Sequence, residues 1–389
     1  MSTSSLDFSH IDIVDNHAHA LTKSQPRDPV EFRQNFTEAH SPVLARRHVP
    51  FAVQYRWALR QLAALLETEA TEEAILQRRR EMGFDRYARH LADDANLAWL
   101  LLDLGYPPPA EACSPEEMEQ LLGVRVGKIL RIETLLQELI PENKQMAGLL
   151  EIFDKALATA RADGYVALKS IAAYRTGLAI EQASDDDAEQ ALSAIVETLT
   201  IEPFRLTSKP LIDYFVLRAL RFAARHALPI QFHTGYGDPD LDLRLSNPLH
   251  LRDVFEDASL SSAPIVLLHE SFPFTAEAAY LAAVYPNAYL DVAFSLPPLD
   301  RGELLRVLRM ALGAAPASKI MVSSDGTRIP EHYWLGATRA RHCLSQVMEA
   351  LVTDSVLGEA DAGELGAMVL RDNAVRLYGL GESPAAASA

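Results

Sequence analysis

Two histidines separated by one residue, His17 and His19, are the sharpest chemical feature of this sequence. Residues two apart on a β-strand project to the same face, so both imidazoles can reach one ion. Single polar residues interrupt apolar runs farther along the chain: Lys169, His233, His269 and Asp325. A lone histidine after a strand is more often a satisfied histidine than a ligand. Four histidines and an aspartate, each at the carboxyl end of a strand, reverse that reading, because in a barrel they would converge on one cavity. Imidazole with carboxylate suits Zn²⁺, Mn²⁺ or Fe²⁺ and disfavours Ca²⁺ or Mg²⁺. With no cysteine near the set, an open catalytic site fits better than a closed structural zinc site.

The elements that must position these residues follow from the apolar pattern. A first strand is expected over about residues 10–16, in HIDIVDNHAHA. From about 20 to 95 the apolar spacing is helical, which reads as a helical insertion rather than a separate domain. Short apolar runs then alternate with helical patterns: 96–105, 126–133, 165–174, 228–235, 263–271, 287–294 and 318–326. With the first strand this makes eight, most of them followed by a helix. Eight βα units predict an α/β fold, a (β/α)8 TIM barrel with the insertion after strand one. Near-continuous Val, Ile and Leu suit a parallel sheet covered on both faces. A doubly wound open sheet is the alternative, weakened because no GxGxxG follows the first strand.

Composition sets the outer limits. At 389 residues the chain is long enough for two or three domains or one large barrel. The strand pattern favours one barrel over 1–380, with 381–389 a small, polar tail expected to be disordered. Hydrophobic residues at 49% and charged residues at 23% are the mix of a soluble globular protein. A formal charge of -17 argues against nucleic acid or an anionic membrane as partner, since both demand a basic face. Cys113 and Cys343 form no disulfide framework, so a cytoplasmic location is expected. No signal peptide opens the sequence, and the apolar runs are too short to span a bilayer.

HAH on strand one, a strand-five His, a strand-six His and a strand-eight Asp together resemble the amidohydrolase superfamily of metal-dependent hydrolases. The resemblance runs from about residue 10 to LRDNAVRLYGL (370–380). More narrowly, KSIAAYRTGL, HTGYGDPDLDLRLSNP and SSDG are similar to the amidohydrolase 2 branch. Within it they resemble the hydrolase-like half of fungal and plant proteins fused to a glutamine-synthetase domain. The resemblance implies that His17, His19 and Asp325 bind a first metal, and that His233 and His269 complete a mononuclear site or hold a second ion. It also implies a carboxylated Lys169 bridging two ions, beside the plainer reading of an unmodified lysine that pairs with a carboxylate or touches substrate. One or two divalent ions (zinc, manganese or iron) are the expected cofactor.

Asp325 has a second task open to it: a carboxylate touching both metal and water can take a proton and pass it to a leaving group. His269 is the other catalytic candidate, orienting the substrate or polarising its carbonyl. Arg175, Arg328 and Arg131 are candidate substrate clamps, since a guanidinium binds carboxylate bidentately. Glu133 is a candidate for a similar part beside Arg131, and all of them are equally candidate loop braces. Asp238, Asp240 and Asp242 are candidates for an ammonium group or, more simply, solvated turn caps. His48 in the insertion reads more simply as structural.

The leading function is metal-dependent hydrolysis of an amide or related C–N bond in a small, polar, amino-acid-like substrate by metal-activated water. Alternatives are a dinuclear Fe or Mn/Fe oxygenase, a metal-dependent non-oxidative decarboxylase, and a degenerate barrel without activity. Barrels of this type often self-associate, so a homo-oligomer, or a hetero-oligomer with a related subunit, is expected.

Overall fold

The structure, a computed structural model, describes residues 6–199 and 204–381. Beyond Gly381 the expected disordered tail lies outside the described residues. Eight strands occur: β1 (Ile13–Ala18), β2 (Leu97–Asp103), β3 (Arg125–Arg131), β4 (Tyr165–Ser170), β5 (Ile230–Phe232), β6 (Ile265–Leu267), β7 (Ala288–Ala293) and β8 (Ile320–Ser323). They lie in chain order in one sheet, and the fold is the expected (β/α)8 TIM barrel. Every apolar run named above contains one strand. The first is shifted: β1 begins at Ile13 and runs through His17 to Ala18. β5 and β6 are only three residues long because the residues that follow leave the extended region; His269, Glu270 and Ser271 all have positive φ.

The chain packs as two compact units. Among the described residues, one comprises 6–126, 237–239 and 291–381; the other comprises 127–199, 204–236 and 240–290.

In the first unit, β1 pairs with β2 in parallel, and β1 meets β8 through Asp325 N–His17 O (3.1 Å) and His19 N–Gly326 O (2.8 Å). The insertion contributes the helices Pro29–Gln34, Pro42–Arg47, Val53–Leu65, Glu72–Met82 and Phe84–Asp94. Asp28 caps the first of them, accepting from Val30 N and Glu31 N, with Pro29 at the position where a missing N–H costs nothing. Buried polar side chains tie the insertion together: Arg33 forks onto Glu72, and Tyr55 Oη donates to the same carboxylate at 2.7 Å. Further bonds fasten it to the helix Glu331–Thr353. Arg79 Nε lies 3.3 Å from Glu331, Tyr87 Oη donates to Glu331 at 3.0 Å, and Trp334 Nε1 donates to Asp94 at 2.6 Å. Arg339, buried, stacks 4.2 Å over the Trp57 ring. These bonds fasten the segment into its unit.

In the second unit, β3, β4, β5 and β6 pair in parallel, and β6 pairs with the start of β7. The long helix Lys209–His226 buries Leu211, Ile212, Phe215, Val216, Leu220 and Ala223, an i, i+4 stripe that faces the core. Among the described residues no helix is long and apolar enough to cross a membrane. Cys113 and Cys343 are free thiols.

Candidate metal centre

β1 delivers His17, the residue just past its end is His19, and the turn after β8 delivers Asp325. Their donor atoms all lie within 4.8 Å of one another. His17 Nε2 and His19 Nε2 each stand 3.5 Å from Asp325 Oδ1. Two donors bound at about 2.1 Å to one tetrahedral ion lie about 3.4 Å apart, so the spacing and the donor chemistry both fit a divalent ion of the zinc type. The His17 side chain is fully buried, while His19 and Asp325 are 13% and 19% exposed. The group is therefore open on one side, as a site that admits substrate must be.

Neighbouring groups bear on His19 and on the backbone of Asp325. His19 Nδ1 lies 3.2 Å from Asp103 O at the end of β2, which makes Nδ1 the protonated nitrogen and leaves the Nε2 lone pair toward Asp325. Tyr333 Oη donates to His19 O at 2.5 Å. Asp325 holds φ +49°, a conformation that costs a non-glycine residue about 1–3 kcal/mol and is maintained only where surrounding bonds impose it. Beneath these donors, Asp15 and Asn16 turn into the interior. Asp15 accepts from Ser324, while Asn16 Nδ2 donates to Asp291 Oδ1 and Val322 O, both at 2.7 Å. Burial pushes the Asp15 carboxyl up to about 7, against the pull of its two Ser324 donors.

Around the donors in the same unit, Arg328 lies 5.2 Å over the Tyr106 ring and donates to its hydroxyl. Tyr106 in turn stands edge-on to His19. Glu38, from the insertion, is partly buried. Burial chiefly, then the nearby Asp325 and Asp238 charges, push its carboxyl up to about 8, and Arg328 opposes the shift. Asp238 stands 3.5 Å from His40. Asp103, Tyr106 and Glu38 were not among the residues singled out from sequence. Asp103 had a usable signal, a polar residue ending an apolar strand. Glu38 had none, because it lies in a loop between two insertion helices.

The second unit brings together His233 and His269. His269 Nε2 lies 3.1 Å from His233 Nδ1, and the Tyr174 ring is centred 4.5 Å from that of His233. The left-handed turn carrying His269 is held against the segment after β5. Thr234 Oγ1 donates to Leu268 O at 2.7 Å and shares a hydrogen bond with Ser271 Oγ. Gly235, at φ +72°, approaches so closely that a Cβ there would fall 2.3 Å from Ser271 C. This contact is the physical reason for a glycine after His233-Thr234.

Lys169 is the penultimate residue of β4, in register with Arg131 of β3 and Gln231 of β5, and is 2% exposed. Arg175 is half-buried, its guanidinium lowered from the ordinary value chiefly by burial. Arg131 ends β3, but Glu133 falls in the first turn of the helix Ile132–Leu139. There it is fully buried and accepts from Ser170 Oγ (2.7 Å) and Ile171 N (3.0 Å), so it braces the end of β4. Asp240 pairs with exposed Arg205, and Asp242 caps its own turn and binds Arg244, as plain turn residues do. His48 is exposed at a helix junction.

A family model described as amidohydrolase matches residues 153–380, more than half of the chain. The curated Protein fluG of Emericella nidulans is 29% identical over 97% of this chain, which spans only 46% of that protein. A solved structure of a Lactobacillus casei protein described as a metal-dependent hydrolase superposes with a TM-score of 0.83 at 28% identity, over 95% of this chain and 96% of that one. A uronate isomerase of Bacillus halodurans gives a TM-score of 0.69 at 12% identity, covering 100% of this chain and 97% of its own, a likeness of fold alone.

Proposed function

The chain belongs to the amidohydrolase family and is an enzyme of that superfamily, and we propose that it hydrolyses an amide or related C–N bond of a small, amino-acid-like substrate. The observation that carries this reading is the cluster of His17, His19 and Asp325, oriented by Asp103 and open on one side. A divalent ion held there supplies Lewis acidity and lowers the pKa of a water to about 7. The protein's own groups do the rest. His17 and His19 present their Nε2 atoms, and the Asp325 carboxylate lies 3.5 Å from both. From that position it takes a proton from the attacking water and returns it to the departing nitrogen, as a general base and then a general acid.

Substrate selection is assigned to the side chains around the donors. Arg328, braced on Tyr106, offers a planar donor pair to a substrate carboxylate. Glu38, its carboxyl pushed up to about 8, ionises when an ammonium group beside it draws that value down, and so offers the opposite charge. Such a pair of opposite charges matches a zwitterionic amino-acid portion. In the second unit, His233 and His269 are assigned to a second ion and Lys169 to carboxylation; Arg175 and Arg131 are further candidates for anionic groups.

Elemental analysis of protein purified without added metal tests the reading directly. At least one zinc or manganese per chain is expected, lost together with amide hydrolysis in the His17→Ala/His19→Ala variant. Two irons, or iron with manganese, would point instead to an oxygenase. Full activity in the metal-free double variant would overturn the proposal.

A further inference from the structure

Asp15 and Ser324 join β1 to the turn after β8 by a two-pronged contact that no catalytic step uses. Asp15 Oδ1 accepts from Ser324 N at 2.9 Å and Oδ2 accepts from Ser324 Oγ at 2.5 Å. The same hydroxyl oxygen accepts from Gly326 N at 2.8 Å. One carboxylate therefore grips the residue before Asp325 directly and the residue after it through one hydroxyl. From behind, Gly336 presses on Ser324: a Cβ at 336 would lie 2.5 Å from Ser324 Cβ and 2.7 Å from its Cα. Residue 324 is thus held between a buried acid on one side and a helix backbone on the other.

Packing alone does not call for this arrangement. Asp15 is 3% exposed, and burying a carboxylate is costly unless its hydrogen bonds are nearly ideal. An apolar pair would hold the two strands together at less cost. What the carboxylate adds is direction. Asp325 sits at φ +49°, a conformation the chain would leave without bonds on both sides. Asp15 also stands two residues before His17 on β1, so one strand sets both the imidazole and the grip on the carboxylate ligand.

We propose that Asp15 is a positioning residue that, through Ser324, fixes the Asp325 carboxylate in register with His17 and His19. This inference rests on the reading of those three residues as a metal site. Supporting groups of this kind are worth about 10–100-fold in metal affinity. The test is zinc affinity of the full chain, measured by competition with a chromophoric chelator, for Ser324→Ala, Asp15→Asn and the double variant, with thermal unfolding in parallel. Each single variant is expected to bind zinc about 10–100-fold more weakly, and the double variant no more weakly than the weaker single one. Tyr378→Phe removes a bond to the neighbouring Asn16 (3.1 Å) without touching residues 324–326. It is expected to keep wild-type affinity even if it unfolds earlier, which separates positioning from general loosening.

Wild-type affinity in folded Ser324→Ala overturns the proposal. That variant decides alone if Asp15→Asn does not fold. If His17→Ala also binds zinc normally, the metal site itself is at fault. If His17→Ala abolishes binding while the Ser324 and Asp15 variants do not alter it, only the positioning role fails.

Discussion

His332 gives the structure a specific acid sensitivity. It lies at the start of the helix Glu331–Thr353, fully buried, with Nδ1 3.1 Å from Thr327 O and its ring edge-on to Phe36. Burial chiefly pushes it from the usual 6.5 down to about 3; the hydrogen bond to the Thr327 carbonyl opposes the shift, and the charges of Arg339 and Arg328 add to it. Between those values the unfolded chain binds a proton that the folded chain refuses. The contribution is therefore complete above pH 6.5 and is lost as the pH falls toward 3. One proton is worth about 1.36 kcal/mol per pH unit, so at pH 5 the loss is about 2 kcal/mol, whatever the folded value below about 4. The assay is urea unfolding of the wild type and of His332→Gln, which keeps a donor for Thr327 but does not titrate. Buried carboxylates such as Asp15 titrate alike in both proteins and cancel in the difference. The stability gap between the two is expected to shift by about 2 kcal/mol against the wild type between pH 7 and pH 5. A gap constant to within about 0.5 kcal/mol would refute the reasoning.

Two further outcomes follow from named contacts. Gly336→Ala places a methyl against the Ser324 backbone and is expected to cost about 1–3 kcal/mol, read as an earlier thermal transition, with weaker zinc binding because Ser324 precedes Asp325. An unchanged melt would show that helix and strand part without cost. Glu133→Ala strands the Ser170 hydroxyl and the Ile171 N–H, at roughly 1–3 kcal/mol for each buried partner left unpaired. Chemical denaturation should show that loss, and a midpoint equal to wild type would restore Glu133 to the substrate candidates.

The barrel was legible in the sequence because buried parallel strands are continuous apolar runs, and each such run contains a strand. Their ends were less legible. The run 263–271 yields a strand of only three residues, since His269 to Ser271 turn left-handed, a departure that residue types other than glycine do not announce. The His-x-His pair and Asp325 were visible because ligand chemistry restricts residue type and strand geometry restricts spacing. The roles of the other acids were not. Glu133 and Glu38 are the same residue type at unremarkable positions, yet one is turned inward onto backbone and hydroxyl donors while the other lies near the metal donors with its carboxyl pushed up to about 8. Only the tertiary path of the chain distinguishes them.

The strand IVDNHA shows what a sequence reading can extract beyond ligands. A strand buried at all six positions has no solvent side on which to leave a polar group, yet three of its six residues are polar. His17 is accounted for by the donor cluster. Asp15 and Asn16 then need partners inside the protein, because each buried polar atom left unpaired costs about 1–3 kcal/mol. Both find them on the β8 segment, at Ser324 and at Val322 O, more than three hundred residues away in sequence. Polar residues beside a ligand in an otherwise apolar strand therefore mark the supports of a site as well as the site itself. Here those supports converge on β8, the strand that leads into the proposed third ligand, Asp325.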